Sequence, residues 1–121
     1  MPNVPDCLFC RIAAHELSSD VIWEDDDIIV FRDIHPNAPV HVLIVPKEHI
    51  ISLAEATEKD TKLLGKLLLA VKTTAEKLGV DQDGYRTIIN TRGHGGQVVR
   101  HLHIHLLGGE QIGPIRSKSR P

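Results

Sequence analysis

His101-Leu102-His103-Ile104-His105 places three histidines at every second position of one short run. Leu102, Ile104 and Leu106 fill the alternate positions, and Leu107 and Gly108-Gly109 follow. Strict alternation predicts a β-strand over Val99 to Leu107, because successive strand side chains point to opposite faces. The imidazoles then share one face and the aliphatics the other. Near neutral pH an imidazole can be a nucleophile, an acid, a base or a metal ligand. At a strand rise of roughly 3.3 Å, His101 and His105 lie about 13 Å apart. Two neighbours could share one ion, whereas a row of three better fits contact with an extended anionic ligand.

The segment before the row supports that ligand. Asn90-Thr91-Arg92-Gly93-His94-Gly95-Gly96-Gln97-Val98-Val99-Arg100 carries three glycines in four positions. Glycine permits positive φ and close backbone approach, and successive N–H groups in such a loop can cradle an anion. Phosphate beside an imidazole suggests attack on phosphorus, with a covalent intermediate dividing one hard displacement into two easier ones. Loop N–H groups and a second histidine would stabilise the charge on the equatorial oxygens.

The remaining sequence bounds the setting. A chain of 121 residues predicts one domain, spanning 1–121. Fourteen Lys and Arg against sixteen Asp and Glu give a net charge of −2, which offers no electrostatic case for a nucleic-acid partner. The basic run Arg116-Ser117-Lys118-Ser119-Arg120 reads as a solvated terminus. No apolar run approaches the length of a membrane span, and Met1 to Asp6 lacks the charged and apolar regions of a signal peptide. The expected compartment is the cytoplasm. There a structural disulfide between Cys7 and Cys10 is disfavoured. A redox pair remains possible, although the Cys-x-x-Cys precedes the first strand pattern rather than following it. Zinc is the third option, since the spacing supplies two thiolates and the chain has histidines to complete a site.

The pattern predicts a short helix over Cys7 to Ala14, then strands over Val21 to Glu24, Asp27 to Phe31 and Val40 to Val45. One long helix should run from Thr57 to Leu78, with Thr57 and Asp60 as a capping box and Gly79 as its stop. Leu64, Leu67, Leu68, Val71, Ala75 and Leu78 fall at helical spacing and read as core, or as core plus subunit interface. Tyr85 to Asn90 is the remaining strand. Five antiparallel strands with one long and one short helix give an α+β class.

Gly95 to Gly109 resembles the signature of the histidine triad (HIT) family, most closely its Hint-like branch of nucleotide-binding phosphoramidases of bacterial type. Phe31 to His41 is similar to the family's nucleoside-binding segment, and Val45-Pro46-Lys47-Glu48-His49-Ile50 to the segment after it. The resemblance covers most of residues 7–109, leaving 110–121 as a C-terminal tail. It implies a HIT-like fold and a homodimer whose two sheets join.

The resemblance also implies roles. His103 would be the nucleophile. His105 would bond the phosphate and serve in proton transfer to the leaving amine, and His101 would orient the nucleophile or be taken by zinc. Gly96, Gln97 and the Val98 backbone would contact phosphate, with Asn90 nearby. Asp33 would accept from the ribose hydroxyls, and Leu8, Phe9, Phe31 and Ile34 would line an apolar slot for the base. Cys7, Cys10, His49 and His101 would hold a structural zinc, and no organic cofactor is expected. The implied activity is cleavage of the P–N bond of purine nucleoside 5′-phosphoramidates, releasing AMP. Hydrolysis of dinucleoside polyphosphates, non-catalytic nucleotide binding as a scaffold, and metal-dependent hydrolysis are the alternatives. The Gly-Gly-Gln loop and the short tail favour the phosphoramidase. Val98 departs from the serine frequent in this branch and leaves only its N–H for bonding. Gln111 to Pro114 would contribute to substrate choice across the dimer.

Overall fold

The computed structural model describes residues 4–115. The basic run 116–120 lies outside the described residues. Helix α1 spans Leu8–Ala13, and strands β1 (Val21–Glu24), β2 (Ile28–Arg32) and β3 (Val40–Pro46) follow. Helix α2 spans Thr61–Lys77, then come β4 (Tyr85–Ile88) and β5 (Ile104–Gly108). The strands form one antiparallel sheet in the order β1-β2-β3-β5-β4.

Apolar side chains on the two faces of this sheet explain its packing. Val30, Val42, Ile44, Leu102, Ile104 and Leu106 meet Leu67, Ala70, Val71 and Ala75 of α2 on one face. Phe9, Ile12 and Ala13 of α1 cover Ile29, Phe31, Leu43 and Val45 on the other. Helix α2 begins later than its sequence pattern suggests. The capping box of Thr57 and Asp60 is present, but it caps a single 3₁₀ turn, Glu58–Asp60, that leads into the helix. At the far end Val80 N–H bonds Ala75 O and Gly79 N–H bonds Glu76 O, with Gly79 at φ 73°. That pairing satisfies the last carbonyls and needs a left-handed residue, which glycine supplies without penalty. Leu68 is off the buried stripe, at 61% exposure.

One boundary differs in a way that matters. The alternation from Val99 to Leu107 is not one continuous strand, because β5 starts only at Ile104. The His101 N–H bonds Val99 O and the Leu102 N–H bonds Ile50 O, so the chain turns here before joining β3 and β4. The sides are nonetheless as the alternation requires: Leu102, Ile104 and Leu106 join the α2 face. Likewise β4 ends at Ile88 rather than Asn90, and β2 is shifted one residue, to Ile28–Arg32.

Leu106 is fully buried on a central strand beneath α2. Leu106→Ala should lower the unfolding free energy by about 2–5 kcal/mol, read from urea denaturation. A much smaller loss would mean that the α2 face is not the principal core.

Candidate active site

The three histidines of the row are mostly withdrawn from solvent. His101 is 0% and His103 6% exposed, while His105 is half-buried. Phe9 of α1 packs edge-on against them, with ring centroids 6.0 Å from His101 and 5.0 Å from His103. His103 and His105 are themselves 5.0 Å apart. This is a covered face, not the wet one that an amphipathic strand would present.

Three different backbone groups fix the protonation of the rings. A carbonyl can only accept and an N–H can only donate. His101 Nε2 lies 2.7 Å from Pro46 O, so Nε2 carries the proton and Nδ1 keeps its lone pair. His103 Nδ1 lies 2.6 Å from His101 O, so Nδ1 carries the proton and Nε2 is the free base. The Asn37 N–H donates to His41 Nδ1 at 3.0 Å, so the His41 proton sits on Nε2. His41 Nε2 is 2.9 Å from His105 Nδ1, which accepts, leaving His105 Nε2–H as a donor. Adjacent histidines thus present opposite faces: a lone pair on His103 and an N–H on His105.

Burial keeps these rings neutral. Desolvation pulls His105 down to about 4, helped by the neighbouring His103 and His41 and opposed by Asp33. It pulls His101 to about 4 against its bond to Pro46 O. His103 and His41 are lowered for the same reason.

His103 and His105 line one wall of a cavity of about 610 Å³. Leu8, Phe9, Phe31, Asp33, Ile34, Asn90, Gly96 and Val98 line it too. Phe9 and Phe31 are buried and stack edge to face at 5.5 Å. Ile34 lies at the rim, 83% exposed. Asp33 also accepts from the His35 N–H at 2.8 Å and lies 3.4 Å from His41 Nε2.

The loop is arranged differently from what its sequence suggests. Gln97 does not line the cavity. Its side chain accepts from the Arg92 N–H at 2.8 Å and donates to Ile51 O at 2.7 Å and Val99 O at 3.0 Å, so it is a strut for the loop. Two of the loop's amides are already engaged. Gly96 N–H bonds Gly93 O, and Gln97 N–H bonds Arg92 O. Gly95 serves compactness, since a Cβ there would collide with the backbone of Thr91, whereas Gly96 supplies a positive φ of 79°. Asn90 clamps the same loop through a 2.7 Å bond to Gly95 O. His101 also does not line the cavity; it orients His103 by its carbonyl rather than its ring.

His101 instead joins a second cluster. Its Nδ1 is 3.2 Å from Cys7 Sγ, 3.5 Å from Cys10 Sγ and 3.2 Å from His49 Nδ1, and Cys10 Sγ is 3.2 Å from His49 Nδ1. All four ligand atoms lie within 4.8 Å of one another. Tetrahedral zinc, with bonds of about 2.0 Å to nitrogen and 2.3 Å to sulfur, separates its ligands by about 3.3–3.8 Å. The spacing and the N₂S₂ donor set fit such an ion. Asp33, His41 and His105 also converge within 4.8 Å. The Asn37 N–H argues against metal there, because it takes the one lone pair that a neutral His41 has.

His41 is the site residue that sequence reasoning missed. Register could have found it: Leu43 pairs with His105 and His41 with Leu107, which sets His41 diagonal to His105 on the same sheet face. Gln111 to Pro114, expected to act across a dimer, run beside β4 of their own chain. There Arg86 donates to Gly113 O and Pro114 O, and none of these tail residues lines the cavity.

Comparison with known proteins agrees with this architecture. Residues 14–112 match the HIT domain family. The chain is 41% identical to the purine nucleoside phosphoramidase of Escherichia coli over 110 residues, covering 91% of this chain and 92% of that protein. A histidine triad protein from Clostridium difficile superposes with a TM-score of 0.91 at 38% identity, covering 94% of this chain and 99% of that one. A HIT family hydrolase from Legionella pneumophila gives 0.88 at 44% identity, covering 89% and 96%.

Two outcomes follow. Nitrogen NMR at neutral pH should show His103 as the Nδ1–H tautomer and His105 as Nε2–H, and His41→Ala should let His105 populate both. The same tautomer on both rings would contradict the assignment. Stability should also fall with acid. An unfolded histidine binds a proton near pH 6.5, whereas His105 does so only near 4. Between those values the unfolded state holds more protons, so stability declines as pH drops from about 6.5 toward 4. His105→Asn should flatten that decline in urea midpoints measured against pH; an unchanged slope would rule His105 out as a contributor.

Proposed function

Because the chain belongs to the HIT domain family, we propose that it is a hydrolase cleaving the P–N bond of purine nucleoside 5′-phosphoramidates, of the adenosine phosphoramidate and AMP-lysine type. One observation carries the reading: His103 has its Nδ1–H tied to a carbonyl 2.6 Å away and belongs to the cavity wall, which leaves Nε2 to attack phosphorus. The name of the Escherichia coli relative supports the same substrate class.

In this reading the purine lies among Leu8, Phe9, Ile12, Phe31 and Leu43, with the ribose beside Asp33 and Ile34. The phosphate rests between His103, His105, Gly96 and Val98. His103 Nε2 forms the P–N bond of a nucleotidyl-histidine as the bond to the amine breaks. His105 donates Nε2–H to a phosphate oxygen as negative charge develops there. A group with its pKa near 4 is neutral at pH 7, so this hydrogen bond, rather than proton delivery to the amine, is its contribution. The amine leaves with a proton drawn from water at the open mouth. Water then displaces His103 from phosphorus and AMP is released.

Cys7, Cys10, His49 and His101 would hold zinc. With four protein ligands the ion would have no open position, and its contribution would be to fix α1 and His101 in place. Two copies would pair through β4. That strand ends the sheet, and Leu68, Leu69, Tyr85 and Ile89 are exposed on or near it and α2. Light scattering would report a mass of twice 13.4 kDa.

The direct test is intact mass spectrometry after rapid quenching with an adenosine phosphoramidate. Wild type should gain one AMP and His103→Ala none, with turnover lowered at least about 10³-fold, the scale expected when a covalent nucleophile is lost. Equal or faster AMP release from diadenosine polyphosphate would shift the reading to that substrate class. No adduct and no release from either would leave a binding protein. Metal analysis should find one zinc per chain, and none after Cys7→Ser with Cys10→Ser.

A further inference from the structure

A second cavity, of about 430 Å³, lies against the first; Cys7 and His49 of the four-residue cluster reach its wall, and it takes no part in the attack on phosphorus described above. The two share a partition, since Leu8, Val98 and Val99 form walls of both. Val4 and Ile51 extend the apolar lining away from His103, and Asp6 and Arg100 supply one charge of each sign. Val98 is 89% exposed on this divide, and Leu8, Ile51 and Val4 are also exposed. Single exposed aliphatics are ordinary, but several lining one groove beside a reacting centre form a site for an apolar group.

Position identifies the occupant. The buried end of the first cavity, at Phe9, Ile12 and Phe31, accepts the nucleoside. In a displacement at phosphorus the departing group must lie away from the attacking Nε2, toward open space. Val98, which the phosphate site and the second groove share as a wall, sets that groove next to the reacting centre. We propose that this groove is a subsite for the leaving group and selects nucleotide conjugates whose amine carries an apolar chain or ring. The proposal rests on the phosphoramidase reading and names its substrate class. The bond made and the bond broken are the same; the groove adds only apolar contact along the departing amine.

Adenosine 5′-(N-alkyl)phosphoramidates from ethylamine, butylamine and hexylamine test it, because their amines differ little in basicity. Each methylene covered by the groove should raise kcat/KM about two- to fourfold, the upper figure corresponding to full burial at about 0.8 kcal/mol per CH₂. Val98→Ser and Ile51→Ser change exposed side chains, so the fold should survive, and each should flatten the dependence on chain length within its own series. Dissociation constants for the same compounds on His103→Ala supply a readout that needs no turnover. A chain-length dependence in affinity without catalysis would uphold the subsite and count against the phosphoramidase reading. A flat dependence in both rate and affinity would overturn the subsite, as would a wild-type dependence that both serine variants retain.

Discussion

A carbonyl oxygen can accept a hydrogen bond but never donate one, and the rest of this site depends on that asymmetry at His101. Its carbonyl takes the Nδ1 proton of His103 and so settles which nitrogen of the central ring is basic. The same residue's side chain is held from the opposite direction by Pro46 O, which turns its Nδ1 toward Cys7, Cys10 and His49. One residue thereby joins the four-ligand cluster to the base in the cavity. Neither bond would be reliable if the rings were wet, since water donates and accepts equally well.

Dryness therefore comes with the tautomers. Helix α1 supplies it by laying Phe9 across His101 and His103. Burying an imidazole disfavours its charged form, and the lowered values of His41, His101, His103 and His105 share that cause. A neutral His103 keeps a lone pair at physiological pH. A neutral His105 offers a fixed N–H. The Asn37–His41–His105 series completes this division, with one backbone amide setting two rings in turn.

Much of this was legible from residue types. Alternation assigned Leu102, Ile104 and Leu106 to their correct face, and the family resemblance, rather than spacing alone, picked out Cys7, Cys10, His49 and His101, which the fold brings together. What alternation could not reveal is where the ladder stops. That depends on Leu102 N–H finding Ile50 O, a partner remote in sequence. The bracing role of Gln97 is hidden in the sequence for a related reason. Beside two glycines it resembles a ligand contact, but its carboxamide matches the spacing of three backbone groups contributed by separate turns. His41 was hidden because its partner lies across the β3–β5 register.

The central claim is that a backbone carbonyl makes Nε2 of His103 the attacking atom. Trapping the nucleotidyl-enzyme and locating the new P–N bond on the ring by phosphorus–nitrogen coupling in NMR tests it most directly. The account predicts phosphorus on Nε2, with Nδ1 still protonated. Phosphorus on Nδ1, or on any ring other than His103, would contradict it.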